Sequence, residues 1–232
     1  MVKLDLYLYP IIDWGFINNH NLDLYQFKNI LIETGFYQLR IKNTSYYDIQ
    51  SIIDKCLNIY KKIKIIINDY AEFIYKADGL HLGIEDLNRQ NNIIKLINKL
   101  NISNSIEHWL NNNNSFIWGI STHNFKQFKT IYNQYKDYLG YLAIGPCFPT
   151  NTKKLEYNYL EEKEILQILD FIYKTKMQQS IVFIGGINML NIKKLHSFLN
   201  QNNQNYNCKF YYASISSFLK KDLPSKFNFT EK

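Results

Sequence analysis

Two carboxylates and a triplet of one amide and two cations carry the most chemistry in this sequence. Asp69 follows the apolar run Ile65-Ile66-Ile67 and Asn68, and Asp86 lies shortly after Gly79-Leu80-His81-Leu82-Gly83. Short apolar runs of this kind mark strands buried on both faces, so each Asp is expected just past a strand's C-terminal end. Two carboxylates on neighbouring strand exits can hold a divalent cation. Each alone also reads as a helix N-cap, a role that Asp favours. In the run 36–42, alternation puts Gln38, Arg40 and Lys42 on one face. Arg and Lys turned into a barrel are costly without an anion, whereas an edge strand would leave the same face in water.

Three further segments suit anions or proton transfer. The loop Gly145-Pro146-Cys147-Phe148-Pro149-Thr150-Asn151-Thr152-Lys153 joins two prolines to two hydroxyls and an ammonium, a set that suits phosphate. Gly185-Gly186 lets backbone N–H groups approach an anion at the start of a helix. Ser121-Thr122-His123 and Ser214-Ile215-Ser216 each follow an apolar run. His123 reads either as a general base or as a residue that caps and packs against the next helix.

These residues need elements to present them. Strands are expected at 4–9 (ended by Pro10), 36–41, 63–67, 79–82, 116–120, 141–144, 181–184 and 209–213. Helical spacing appears over 22–33, ended by Gly35, over the segment opened by the capping box Ser45-x-x-Asp48, and over 124–135 and 161–175. A short helical piece spans 70–76, and Ile192, Leu195 and Leu199 give the last helix its stripe. The Asn-rich stretch 87–114, with one helix over Ile93–Leu100 and another around Ile106–Leu110, is expected to be a helical insertion after the fourth strand, decorating the outside of the core, and 219–232 an irregular tail. Eight strand–helix units with polar exits argue for a single α/β domain over 1–232, a (β/α)8 TIM barrel. An open doubly wound sheet is the alternative, but it would concentrate its site at one switch point.

The chain of 232 residues carries a formal charge of +7, which suggests an anionic partner. With no basic run longer than two residues and no RNA-binding aromatic signature, that partner reads as a phosphorylated small molecule rather than nucleic acid. Three cysteines without metal-ligand spacing read as free thiols in a reducing compartment. The N-terminal segment does not read as a signal peptide, and no apolar run approaches the roughly 18 residues of a membrane span. A cytoplasmic protein without a membrane partner is expected; a homo-oligomer stays open.

In order and in kind, the strand exits resemble those of the thiamine phosphate synthase family. The segments are Gln38-x-Arg40-x-Lys42, Asn68-Asp69, Asp78-Gly79-x-His81-x-Gly83-x-Glu85-Asp86, Gly119-x-Ser121, Gly145-Pro146-x-x-Pro149-Thr150-x-Thr152-Lys153, Gly185-Gly186-Ile187 and Ile215-Ser216. The resemblance implies a transferase joining a hydroxymethylpyrimidine pyrophosphate to a thiazole phosphate, with Mg2+ as cofactor. By it, Asp69 and Asp86 hold the metal, and Arg40, Lys42, Asn68 and Lys153 clamp the pyrophosphate. Gln38 and Ser121 lie nearer the pyrimidine, while Thr150, Thr152, Gly186, Ile215 and Ser216 surround the thiazole phosphate. Ile84 stands where the family usually has Gln, and Asn207-Cys208-Lys209-Phe210 replaces a Gly-rich approach to the last strand. A thiazole tautomerase paralogue, with His123 moving the proton, and a degenerate thiamine-phosphate-binding barrel are the rival readings.

Overall fold

Eight parallel strands close into a barrel in sequence order, each paired to the next and the eighth to the first. The computed structural model describes residues 3–87, 93–149 and 158–215. β1 (Tyr7–Asp13) leads through α1 (Trp14–Asn19), a 3-10 turn (Leu24–Phe27) and α2 (Lys28–Thr34) to β2 (Phe36–Arg40). α3 (Tyr46–Ile59), β3 (Lys64–Asn68), a second 3-10 turn (Ala71–Lys76) and β4 (Gly79–Gly83) follow. Beyond them lie α4 (Ile84–Leu87), α5 (Ile93–Ile97), α6 (Ile106–Asn111), β5 (Ile117–Thr122) and α7 (Phe125–Tyr135). β6 (Tyr141–Ile144), α8 (Glu162–Thr175), β7 (Ser180–Phe183), α9 (Ile192–Gln201) and β8 (Phe210–Ser214) complete the barrel. No helix among the described residues is long and apolar enough to cross a membrane.

Alternation along each strand divides the apolar side chains into two sets. Leu39, Ile65, Ile67, Leu80 and Trp118 face outward beneath the helices, whose stripes, such as Ile49, Ile52, Ile53 and Cys56 of α3, cover them. Tyr9, Phe36, Ile66, Ile117, Tyr141 and Tyr211 fill the interior. The Tyr141 ring needs room there. A Cβ on Gly119 would lie 1.9 Å from Tyr141 Cζ, so β5 can carry no side chain at that position.

The structure corrects several expectations. β1 does not stop at Pro10. That residue withholds only its own N–H from the ladder, and Ile11, Ile12 and Asp13 go on pairing with β2. The helix expected over 22–33 is a 3-10 turn followed by α2, which ends at Gly35 in the left-handed conformation (φ 74°). α1, six residues long, is not among the expected helices. Within the described part of the stretch 87–114, α6 is not decoration outside the core. Ile106 and Trp109 of α6 are fully buried within the interior cluster. Trp109 Nε1 donates to Asp78 O at 3.1 Å, and the Ile106 N–H donates to Ser180 Oγ at 3.0 Å. Lys64 Nζ sits 4.9 Å above the Trp109 ring, its pKa lowered by burial. All of these partners lie at strand N-termini, so α6 plugs the mouth opposite the strand exits.

Candidate active site

Every strand delivers its C-terminal end to one rim, and polar residues collect there. Asp13 lies opposite Arg40 in the register of β1 with β2, and their side chains form an ion pair through Oδ2 and Nη1. Asp13 is buried, at 6% exposure. Its Oδ1 accepts the Phe16 N–H at 2.8 Å, which makes it the N-cap of α1. Past the end of β2, the Lys42 ammonium pairs with Asp69 at the exit of β3. Gln38, two residues deeper than Arg40, donates from Nε2 to Asn68 Oδ1 at 2.6 Å. Gln38, Arg40 and Lys42 thus line one sector of the rim, grading from buried Gln38 to exposed Lys42. The edge-strand alternative fails, because a closed barrel leaves no edge.

Gln38 Oε1 is buried and has no hydrogen-bond partner among the described residues. A buried acceptor left open costs about 1–3 kcal/mol, and this one, beneath the rim, is able to accept an N–H from a ligand or an O–H from a water.

Neither acidic residue is an N-cap. Asp69 adopts φ 70°, an uncommon backbone that Asp tolerates better than most residues, and its N–H donates to His81 O at 2.9 Å. The capping position of the following 3-10 turn is Tyr70, and Asp86 lies inside α4. There it folds back over the end of β4: a Cβ on Gly83 would lie 3.0 Å from Asp86 Oδ2 and 2.6 Å from Glu85 Oε2. Asp69 and Asp86 therefore belong to the exits of adjacent strands. Among the described residues, no group of three or more His, Cys, Asp or Glu side chains gathers as a metal cage. Mg2+ needs none, since it commonly takes one or two carboxylates and completes its octahedron with water and substrate phosphate oxygens. Two hard oxygen donors on one rim fit that demand in kind and in number.

Beneath the rim runs a buried chain of hydrogen bonds. Tyr9 OH and Tyr141 OH are 2.7 Å apart, and Tyr141 OH lies 2.9 Å from His81 Nδ1. Burial pushes the His81 imidazole down to about 4, with Asp69 opposing and Lys42 adding to the shift. His81 is therefore neutral near pH 7, and burial likewise raises the Tyr141 phenol. The floor of the site is polar but uncharged.

The other exits complete the rim. Ser121 is half-buried opposite Gly83. His123 bridges two exits, with Nδ1 3.1 Å from Gly145 O and Nε2 3.1 Å from Glu85 Oε1. After the cis Gly145–Pro146 bond, the Cys147 and Phe148 N–H groups donate to Ile184 O and Gly185 O at 2.9 and 3.0 Å. Gly186 has φ 67°, and a Cβ there would lie 2.3 Å from Phe148 O; only glycine lets the two loops pack this closely. Ile215 packs against the interior cluster. Thr150, Thr152, Lys153 and Ser216 lie outside the described residues, as does the tail 219–232. Sequence reasoning missed Asp13, which follows Ile11-Ile12 much as Asp69 follows its own apolar run. It also missed the Tyr9–Tyr141–His81 chain.

Comparison with known proteins identifies the family and agrees with the fold. The family profile described as thiamine monophosphate synthase matches residues 8–198. The thiamine-phosphate synthase of Clostridium tetani (strain Massachusetts / E88) is 32% identical over 200 residues, 83% of this chain and 82% of that protein. That of Clostridioides difficile (strain 630) is 30% identical over 231 residues, 97% of this chain and 93% of that protein. A thiamine phosphate pyrophosphorylase from Pyrococcus furiosus shares the fold, with a TM-score of 0.60 at 17% identity over 92% of this chain and 87% of that chain. A rim of paired cations and carboxylates, a profile matched over most of the chain and relatives of this identity lead to one conclusion: the chain belongs to the thiamine monophosphate synthase family and is a transferase of that kind.

Proposed function

We propose that this chain joins a hydroxymethylpyrimidine diphosphate to a hydroxyethylthiazole phosphate, forming thiamine phosphate and releasing pyrophosphate, and that it requires Mg2+. Family membership supports the reaction. The observation that carries the finer reading is the paired rim: Arg40 and Lys42 stand beside Asn68 and Asp69 at neighbouring strand exits, above the open acceptor of Gln38.

The chemistry follows from those groups. Breaking the C–O bond puts negative charge on the departing diphosphate and positive charge on the electron-rich aminopyrimidine. Mg2+ held by Asp69 and Asp86 would neutralise charge on the diphosphate oxygens. Arg40, Lys42, Asn68 and Lys153 grip those oxygens, and donors set in place before charge develops lower the barrier without reorganising. Gln38 Oε1 accepts from the pyrimidine amino group, and Ser121 borders the ring. The thiazole nitrogen supplies the electron pair for the new C–N bond, and the C–O pair leaves with pyrophosphate. The protein itself deprotonates nothing, in keeping with a neutral, hydrogen-bonded His81. Thr150, Thr152, Gly186, Ile215 and Ser216 are assigned to the thiazole phosphate.

A tautomerase would need an imidazole nitrogen turned towards substrate, whereas the His123 ring is turned between two strand exits, Nδ1 towards Gly145 O and Nε2 towards Glu85 Oε1, each at 3.1 Å. Cys56, Cys147 and Cys208 are buried free thiols, each pushed up to about 12 by burial, and they support a reducing, cytoplasmic setting. The test is direct. Purified protein given both substrates is expected to release pyrophosphate only with Mg2+ present. Isomerisation of a thiazole phosphate without release would favour the tautomerase, and binding without turnover a thiamine-phosphate-binding barrel.

A further inference from the structure

We infer that Asp13 is a positioning residue for this reaction: it fixes the Arg40 guanidinium so that the remaining N–H groups face the departing diphosphate. The inference rests on the proposed role of Arg40.

Asp13 is itself immobilised. One carboxylate oxygen is held by the Phe16 N–H at 2.8 Å and the other takes Arg40 Nη1, while the strand register sets the two backbones side by side. A guanidinium is planar, with five N–H donors in a rigid fork, so anchoring one terminal nitrogen orients the whole plane. It also leaves donors over for an anion. Arg40 keeps 23% of its side chain exposed at the rim while Asp13 keeps 8%, so the carboxylate sits behind the cation rather than in front of it. A negative charge this close to a diphosphate repels it and weakens ground-state binding. What Asp13 contributes is orientation, felt where the leaving group gathers charge.

The alternative is that Asp13 merely caps α1 and joins two strands. Asp13→Asn separates the two roles, because Asn caps a helix about as well as Asp but cannot pair with Arg40 as an anion. In the otherwise native enzyme, this variant is expected to keep its unfolding midpoint and to lose about 10- to 100-fold in kcat. Its KM for the pyrimidine diphosphate should be unchanged or lower. In an Arg40→Ala background, the same change should move kcat by less than about twofold, since the residue it acts through is gone. An equal loss in both backgrounds, a rise in KM alone, or no loss at all would overturn the inference. Should the Asn variant fold poorly, Asp13→Ser, also a capping residue, carries the same comparison. A native enzyme that releases no pyrophosphate would instead refute the reading of Arg40, and this inference with it. A native enzyme that depends on Arg40 but not on Asp13 would sink this inference alone.

Discussion

Replacing Gly119 with alanine adds one methyl group at the most crowded point of the barrel interior. The new Cβ would lie 1.9, 2.2 and 2.3 Å from Cζ, Cε2 and Cε1 of Tyr141, well inside contact distance. The ring has nowhere to retreat without giving up its bonds to Tyr9 OH (2.7 Å) and His81 Nδ1 (2.9 Å). Overpacking a core costs about 1–3 kcal/mol. Each buried polar group stripped of its partner costs about 1–3 kcal/mol more, and two would be stripped. Relief of glycine's conformational freedom returns only about 0.5–1 kcal/mol. The net loss is therefore at least about 2 kcal/mol, a large share of a typical stability of roughly 5–15 kcal/mol. Urea unfolding followed by far-UV circular dichroism measures it. Tyr141→Leu in the Gly119→Ala background should recover part of the loss, because it removes the obstructing ring. A Gly119→Ala protein within about 0.5 kcal/mol of the native one would refute this packing, and with it the hydrogen-bonded floor beneath the rim.

Two further outcomes follow from buried groups. Trp109→Ala should destabilise by about 3–5 kcal/mol in the same unfolding assay. It should leave the rate per folded molecule unchanged, since the plug lies at the mouth away from the strand exits. His81 is held near 4 against an ordinary 6.5, so between those values the unfolded chain binds a proton that the folded chain does not. The stability contributed is complete above about pH 6.5 and is lost as pH falls towards 4, by about 3 kcal/mol in all. Urea midpoints measured at pH 7 and 4.5 for the native chain and His81→Gln check it, and the variant should show the shallower dependence.

Much of the architecture is legible because a parallel barrel buries its strands on both faces, which leaves short apolar runs with polar ends. Tyr141–Ile144 is a strand in both readings, and α8 differs only in its first residue. Asp69 and Asp86 stood out for the same reason: each lies just past such a run. What escaped depended on contacts that spacing does not encode. Pro10 looked like a stop because its missing N–H is visible in sequence, whereas the pairing of Ile11, Ile12 and Asp13 with β2 is not. Asp13 was lost with that strand end. Tyr9 and Tyr141 meet across 132 residues, and nothing local to either announces the other. A helix around Ile106–Leu110 is legible in the sequence, but its Asn-rich setting gives no sign that Ile106 and Trp109, three residues apart on one helix face, are buried and close the barrel from below.

The rim's grip on the leaving diphosphate is tested most directly by pyrophosphate release from Asp86→Ala as Mg2+ is titrated. The expected rate is lower by about 100-fold or more, with a metal requirement shifted to higher concentration than in the native protein. Full activity of that variant at limiting Mg2+ would contradict it.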